Sequence, residues 1–346
     1  VIDLVAETQP GRILDGFRAP LAAGVVAALV SALLTPLVRR FAISRGAVDD
    51  PGRDDRRVHQ EPIPRWGGLA IYGGIVFALL VVLPFAYPAP ANAFPAYLVA
   101  VIVFGGILVV MGALDDLYQF SARVQALFLL AVGVGVQFFY DPVGRVQIQG
   151  IALPLFSDSS TWTPFAPWVA ITITAIYIFV ITKTTDTIDG IDGLAAGICT
   201  IAATTLSIIA TYGEQPRVAL IAAAIGGACL GFLRFNYNPA KIFMGTGGAQ
   251  LLGFMLAAIS IVGAFKTAAA VALIIPILVF GVPIIDAAFV TVRRILSRQP
   301  ITQADKRHLH HTLMGRGLSQ RQTVWVLYLF AVALCGMMLL VVKLYG

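Results

Sequence analysis

Ten apolar runs, each about as long as the hydrocarbon core of a bilayer is thick, dominate this chain. They fall at about 19–38, 68–87, 97–114, 124–140, 166–182, 194–213, 218–234, 249–265, 268–291 and 323–343. A spanning helix needs ~20 mostly apolar residues. Several runs, such as AYLVAVIVFGGILVVMGAL and AAAVALIIPILVFGVPII, are nearly uninterrupted. With 58% hydrophobic and 12% charged residues in 346, the chain is too apolar for a soluble globule, a disordered chain or a coiled coil. The expectation is an all-α polytopic membrane protein of about ten transmembrane helices. A polar N-terminal segment, 1–18, precedes one integral-membrane domain, 19–346.

Details of the runs refine this reading. The first lacks the basic start and small-residue cleavage site of a signal peptide, so it reads as a retained helix. The ninth is longer than a bilayer requires and contains Pro276 and Pro283, which predicts a kinked or tilted helix. Cys199, Cys229 and Cys335 lie in apolar runs without CxxC spacing, so they read as core or lipid-facing side chains.

Basic residues orient the array. The loops after the odd-numbered runs hold 18 of the 24 Lys and Arg. The positive-inside bias makes those loops cytoplasmic and both termini extracytoplasmic. The segment 141–165 then lies outside, and the alternation in RVQIQGIALPLF suggests a short extracytoplasmic β-hairpin.

Acidic residues gather on the same side, which the charge rule does not demand. Asp115 and Asp116 end the third run; Asp186, Asp189 and Asp192 follow the fifth in TDTIDGIDGLAAG. Carboxylates near hydrocarbon are costly and usually functional. Adjacent aspartates on a helix end cannot both point one way, so one is free to hold a cation while the other meets a second group. The i, i+3, i+6 spacing of the second cluster places pairs on a shared face. It lacks the alternating ligands and terminal Glu of a calcium loop, whereas Mg²⁺ takes few carboxylates and leaves room for phosphates.

Three further segments carry anion chemistry. FNYNPAKIFMGTGGAQ offers Asn236, Lys241 and a glycine-rich helix start, without the GK[ST] of a phosphate loop. KRHLHHTLMGRGLSQRQT holds His308, His310 and His311 among Lys and Arg; with no HExxH or Cys ligand it reads as an anion-binding loop rather than a zinc site. VDDPGRDDRRVHQEPIPRWGG adds His59 and Arg65 ahead of Gly67 and Gly68.

Taken in order, VDDPGRDDRRVHQEPIPRWGG, GALDDLYQFSARV, DGIDGLAAG, FNYNPAKIFMG and HLHH resemble the polyprenyl-phosphate N-acetylhexosamine-1-phosphate transferases. That family includes the UDP-GlcNAc:undecaprenyl-phosphate transferases and the phospho-MurNAc-pentapeptide translocase. The HLHH loop, followed by GLSQRQT, looks more like the GlcNAc branch. The resemblance implies a multi-pass protein of the bacterial inner membrane, serving cell-wall or surface polysaccharide synthesis. Its cytoplasmic site would use Mg²⁺, with Mn²⁺ as the alternative, to join a UDP-sugar to undecaprenyl phosphate with release of UMP. Membrane lipids and a homodimer are expected partners; nucleic acid is not.

By the same resemblance, Asp115 and Asp116 engage the lipid phosphate or metal. Asp189 and Asp192 lie near nucleotide and metal, and His310 and His311 on the diphosphate. Arg65, His59, Lys241, Asn236, His308 and Lys183 are the expected substrate contacts. Asp186, Asp189, Asp192 and Thr246 form the expected metal set. Two positions depart from the family pattern. Asp186 stands where the family has Asn, and Thr246 where it has a metal-binding Asp. The expectation is that Asp186 supplies the acid missing at 246. A lapsed enzyme retaining lipid-phosphate binding, and an ion-coupled transporter, are the competing readings. The transporter suffers from acids placed at one interface rather than at the midplane.

Overall fold

Lipid leaves the backbone of such runs no alternative to the helix, because every N–H and C=O must be paired within the segment. The computed structural model describes residues 10–49, 62–87, 94–152, 162–263, 279–296 and 308–345. The elements are α1 (Pro10–Ser44), β1 (Val48–Asp49), β2 (Ile63–Pro64), α2 (Gly67–Ala86), α3 (Ala96–Tyr118) and α4 (Ala122–Gly135). Then come β3 (Gly150–Ala152), β4 (Trp162–Pro164), α5 (Pro167–Ile188), α6 (Leu194–Tyr212) and α7 (Pro216–Asn236). The chain continues with α8 (Gly245–Gly263), α9 (Gly281–Leu296), α10 (Leu309–Gly315) and α11 (Gln320–Tyr345).

Among the described residues, eight helices are long and apolar enough to cross a bilayer: α1, α2, α3, α5, α6, α7, α8 and α11. The protein is therefore a mostly helical, multi-pass membrane protein. Helix α1 begins at Pro10, so the polar stretch before the first apolar run is partly helical. The fourth run is shorter than its hydropathy predicts. Helix α4 tightens into a 3₁₀ turn, Val136–Phe138, where Gln137 Nε2 donates to the carbonyls of Gly133 (2.7 Å) and, on α5, Ile171 (3.1 Å).

Of the ninth run, residues 268–278, including Pro276, lie outside the described residues. The remainder enters α9, an amphipathic helix whose exposed face is apolar. Asp286, Val290 and Arg294, at i, i+4 and i+8, form a buried face, while Ile285, Phe289, Val292 and Leu296 are exposed. Pro283 lies in its first turn, where proline is tolerated. Within 141–165, β3 pairs antiparallel with β4, in the register Ile151 opposite Thr163; residues 153–161 lie outside the described residues.

Helix α8 is the centre of the bundle, nearly all of it buried, against α2, α3, α5, α6 and α7. Helix α1 lies along α7 and α2, and α9 along α5 and α11. Its outward Leu21, Val25, Leu29, Leu33 and Leu37 form an exposed apolar stripe at helical spacing, suited to lipid contact. One glycine pair matters for the site. A β-carbon on Gly112 of α3 would strike the backbone of Gly247 on α8. This close approach of small residues sets the end of α3 against the start of α8.

Candidate active site

The site begins with a two-residue strand pair. Strands β1 and β2 pair antiparallel, with Asp49 opposite Ile63. The next stretch is stitched to the start of α8: Phe243 N donates to Pro64 O (2.8 Å), Gly67 N to Phe243 O (2.9 Å) and Gly68 N to Met244 O (2.8 Å). Trp66, at φ 78°, turns the chain into α2, and its Nε1 donates to Ala113 O at 3.1 Å. Arg65 is thereby fixed. Its guanidinium pairs with Asp49 Oδ1 and reaches Asp116 Oδ1 at 3.2 Å.

Asp116 has two unlike oxygens. Oδ1 also accepts from the N–H (3.3 Å) and hydroxyl (3.2 Å) of Thr246. Oδ2 is buried without a hydrogen-bond partner, and a β-carbon on Gly245, at φ +74°, would collide with it. Asp115 points elsewhere, since neighbours on a helix lie about 100° apart. Its Oδ1 accepts from Phe120 N (2.9 Å) and Gln125 Nε2 (2.9 Å). Gln125 Oε1 in turn accepts from Lys183 Nζ (3.1 Å), which also pairs with Asp186 Oδ2 at 2.6 Å.

Asp49, Arg65, Asp116, Lys183, Asp186 and Thr246 face a cavity of about 1090 Å³. Its wall carries the polar side chains of Asp49, Arg65, Asp116, Lys183, Asp186, Asp189, Thr246, Arg294, His308, His310 and His311. Apolar wall is contributed by Ala122, Ala126, Phe179, Val180, Ile284, Ala287, Ala288 and Val290. Asp189 closes the end of α5. Burial, and then the Asp186 carboxylate, push its carboxyl up to about 7, against the pull of Arg65.

The histidines are held from behind. Asp286 of α9 meets His308 Nδ1 at 2.7 Å and accepts the Leu309 N–H at 2.6 Å, capping α10. The rings of His308 and His310 lie nearly parallel, 5.7 Å apart, and His311 is 4.4 Å from His310. His310 is buried, and its Nε2 has no hydrogen-bond partner. Burial, reinforced by His311, lowers its pKa to about 3, so it is a neutral imidazole at pH 7.

Several expected residues stand apart. Asp115 does not line the cavity. Asp192, expected at the metal, turns away because Gly193, at φ 79°, starts α6 there. Its Oδ2 accepts from Asn238 Nδ2 (2.9 Å) and Ala240 N (3.0 Å), fixing the loop before α8. Asn236 is buried behind the cavity and donates to Ile242 O at 3.0 Å. Lys241 is exposed and its carbonyl accepts from Arg39 Nε at 3.0 Å. His59, Lys306 and Arg307 lie outside the described residues. Conversely, Gln125 and Arg294 carry no role in the sequence reading, while Asp49 and Asp286 count there only among the acids of the cytoplasmic side. An acid and a base eight residues apart on one face of an otherwise apolar helix were the available signal for Asp286 and Arg294.

Among the described residues, no group of three or more His, Cys, Asp or Glu is placed to hold a metal by itself. The expected set of Asp186, Asp189, Asp192 and Thr246 is not assembled. Asp192 is committed elsewhere, Asp186 is paired with Lys183, and Thr246 donates to Asp116. The remaining donors still suit a hard cation. Mg²⁺ needs one or two carboxylates when substrate phosphates supply other ligands. Asp116 Oδ2 is buried and bare, and Asp189 shares its cavity.

A cavity at helix ends that joins charged and apolar wall residues in a multi-pass membrane protein is suited to an amphiphile. Residues 98–264 match the model of glycosyl transferase family 4. A Bacillus subtilis protein named probable undecaprenyl-phosphate N-acetylglucosaminyl 1-phosphate transferase is 38% identical over 306 residues, covering 88% of this chain and 80% of the relative. A decaprenyl-phosphate N-acetylglucosaminephosphotransferase of Mycolicibacterium smegmatis is 32% identical, covering 89% and 78%. The undecaprenyl-phosphate alpha-N-acetylglucosaminyl 1-phosphate transferase of Escherichia coli K12 is 27% identical, covering 88% and 79%. The chain belongs to glycosyl transferase family 4, among the polyprenyl-phosphate N-acetylhexosamine-1-phosphate transferases.

Proposed function

We propose that the chain transfers N-acetylglucosamine-1-phosphate from UDP-GlcNAc to undecaprenyl phosphate, giving a polyprenyl-diphosphate sugar and UMP. The observation that carries this is a cavity in which cations and carboxylates share the wall with apolar side chains. The apolar side chains suit a prenyl tail, whose phosphate meets the diphosphate of the sugar donor. An oxygen of the lipid phosphate attacks the sugar-linked phosphorus, and the bond from that phosphorus to the UMP oxygen breaks. Phosphoryl transfer asks the protein mainly for position and charge neutralisation.

Arg65 is the fixed cation, braced by Asp49 and Asp116. Lys183 and Arg294 bring further positive charge to the cavity wall. His310, neutral and partnerless at Nε2, offers a hydrogen bond to a phosphate oxygen. Asp116, through Oδ2, and Asp189 would hold Mg²⁺ or Mn²⁺, which when bound neutralises charge developing on the transferring phosphoryl group. Thr246 keeps Asp116 oriented, and Asp186 keeps the acid count of the wall unchanged. The cavity faces the cytoplasm of a bacterial inner membrane, with ten spans and both termini outside.

Release of UMP from the purified chain, with undecaprenyl phosphate and a panel of UDP-sugars, tests this. UDP-GlcNAc is expected to react fastest. Asp116→Asn is expected to lower turnover by ~10² or more, the scale of losing a transition-state contact, and Asp115→Asn by less. Faster release with UDP-MurNAc-pentapeptide would overturn the substrate assignment, and no release with any donor would overturn the activity.

A further inference from the structure

A second cavity, of about 550 Å³, lies at the other end of the bundle. Tyr97 at the start of α3 and Val262 near the end of α8 line it. The active-site cavity instead holds Asp116 near the end of α3 and Thr246 at the start of α8. At 1.5 Å per helical residue these steps separate the cavities by roughly 24–28 Å, close to the ~30 Å of a hydrocarbon core. The second cavity therefore sits at the opposite membrane boundary.

Its walls carry two arginines. The Arg145 guanidinium lies 4.4 Å from the centre of the Tyr140 ring, and that of Arg217 lies 4.2 Å from the Tyr87 ring. Arg145 Nε is buried and has no hydrogen-bond partner, a costly arrangement unless an acceptor enters. Two carboxylates also line the cavity. Asp141 is committed to the backbone, with Oδ2 accepting from Ala96 N (2.6 Å) and Oδ1 from Val143 N (2.9 Å) and Gly144 N (3.1 Å). Glu214 is exposed. Phe138, Phe139, Tyr140, Trp168 and Tyr212 are exposed nearby in the sequence of these helix ends, the residue types that settle at headgroup level.

We propose that this second cavity is a binding site for a phosphate group, supplied by a phospholipid headgroup of the leaflet opposite the active site. The forks of Arg145 and Arg217 match phosphate oxygens. The exposed Glu214 suits a headgroup that carries an ammonium beyond its phosphate. The site is separate from the reaction and does not depend on the donor assigned above.

Calorimetric titration of the full chain in a phosphate-free detergent tests the proposal with three probes: dioctanoyl phosphatidylethanolamine, dioctanoylglycerol and inorganic phosphate. The phosphatidylethanolamine is expected to bind saturably and dioctanoylglycerol not to bind. Arg145→Gln with Arg217→Gln is expected to weaken the lipid at least about tenfold, the scale of losing charge-assisted hydrogen bonds. Either single variant, which carries the test if the double variant does not fold, is expected to lose part of this. UMP release at saturating undecaprenyl phosphate should persist in all of them. Binding of inorganic phosphate, sensitive to the same variants, without binding of the lipid would keep the phosphate site and move its source to water. Lipid binding that is indifferent to both arginines, or equal binding of dioctanoylglycerol, would overturn the site.

Discussion

Asp189 and His310 face one cavity with opposite pH signatures. The Asp189 carboxyl is raised, by burial first, to about 7 from an ordinary 3.8. Between those values the folded chain holds a proton that the unfolded chain has lost. Its contribution to stability is thus complete below 3.8 and is lost as pH rises through about 7. His310, lowered by burial first to about 3 from 6.5, has the reverse sense. Its contribution is present above 6.5 and is lost as pH falls toward 3. The variant Asp189→Asn isolates the first. Without divalent cations, its melting temperature is expected to gain on the wild type between about pH 4 and about pH 8. Mg²⁺ should narrow that gap at the alkaline end, since a cation favours the ionised carboxyl. A gap that is constant with pH in thermal-shift measurements would refute this. At this scale the sequence was only partly legible. Helix geometry predicts that the neighbours Asp115 and Asp116 point apart, and they do. Which of them faces the cavity depends on Gly112 seating α3 against α8, and a local pattern does not carry that.

Helix α9 acts on the site through α10. Asp286 is not in the cavity wall, yet it holds both His308 and the first N–H of the histidine helix. It is a positioning residue. Removing it should release the histidine loop, so Asp286→Ala is expected to lower turnover by roughly ten- to hundredfold, within the range of losing a transition-state donor. Because Asp286 acts through the histidines, Asp286→Ala combined with His310→Ala should be little worse than the poorer single variant. Additive losses in UMP release would show that Asp286 acts independently. The helices themselves were legible because lipid forces apolar runs into one backbone form. What the runs did not reveal is where polarity inside them is useful. Asp286 and Arg294 sit on one buried face of α9, where apolar neighbours disguise them as part of a span. Asp192 erred in the other direction. Its motif spacing suggested a shared face with Asp189, but α5 ends at Ile188 and the turn that follows sends Asp192 to the 238–240 loop.

At the scale of the molecule, the two cavities and the distribution of charge define a direction across the membrane. The end that holds the active site also carries Arg39, Arg40, Arg45, Arg65, Arg123, Lys183 and Lys241 at the ends of α1, α2, α3, α4, α5 and α7. The opposite end carries fewer: Arg18, Lys343, and Arg145 and Arg217 beside the second cavity. Positive charge is retained on the cytoplasmic side during insertion, and the bias acts on short loops like these. Nucleotide sugars are also strongly anionic, so the basic end is the one that attracts them. Under the proposed function, both arguments predict an active site on the cytoplasmic side and the second cavity outside. Cysteine labelling reads this directly, because Cys199, Cys229 and Cys335 are all buried and give little background. Arg123 and Val143 are exposed at the two ends. In intact spheroplasts, a membrane-impermeant maleimide is expected to label Val143→Cys and to spare Arg123→Cys until the membrane is permeabilised. The reverse pattern would invert the topology and place the active site outside, out of reach of cytoplasmic nucleotide sugars.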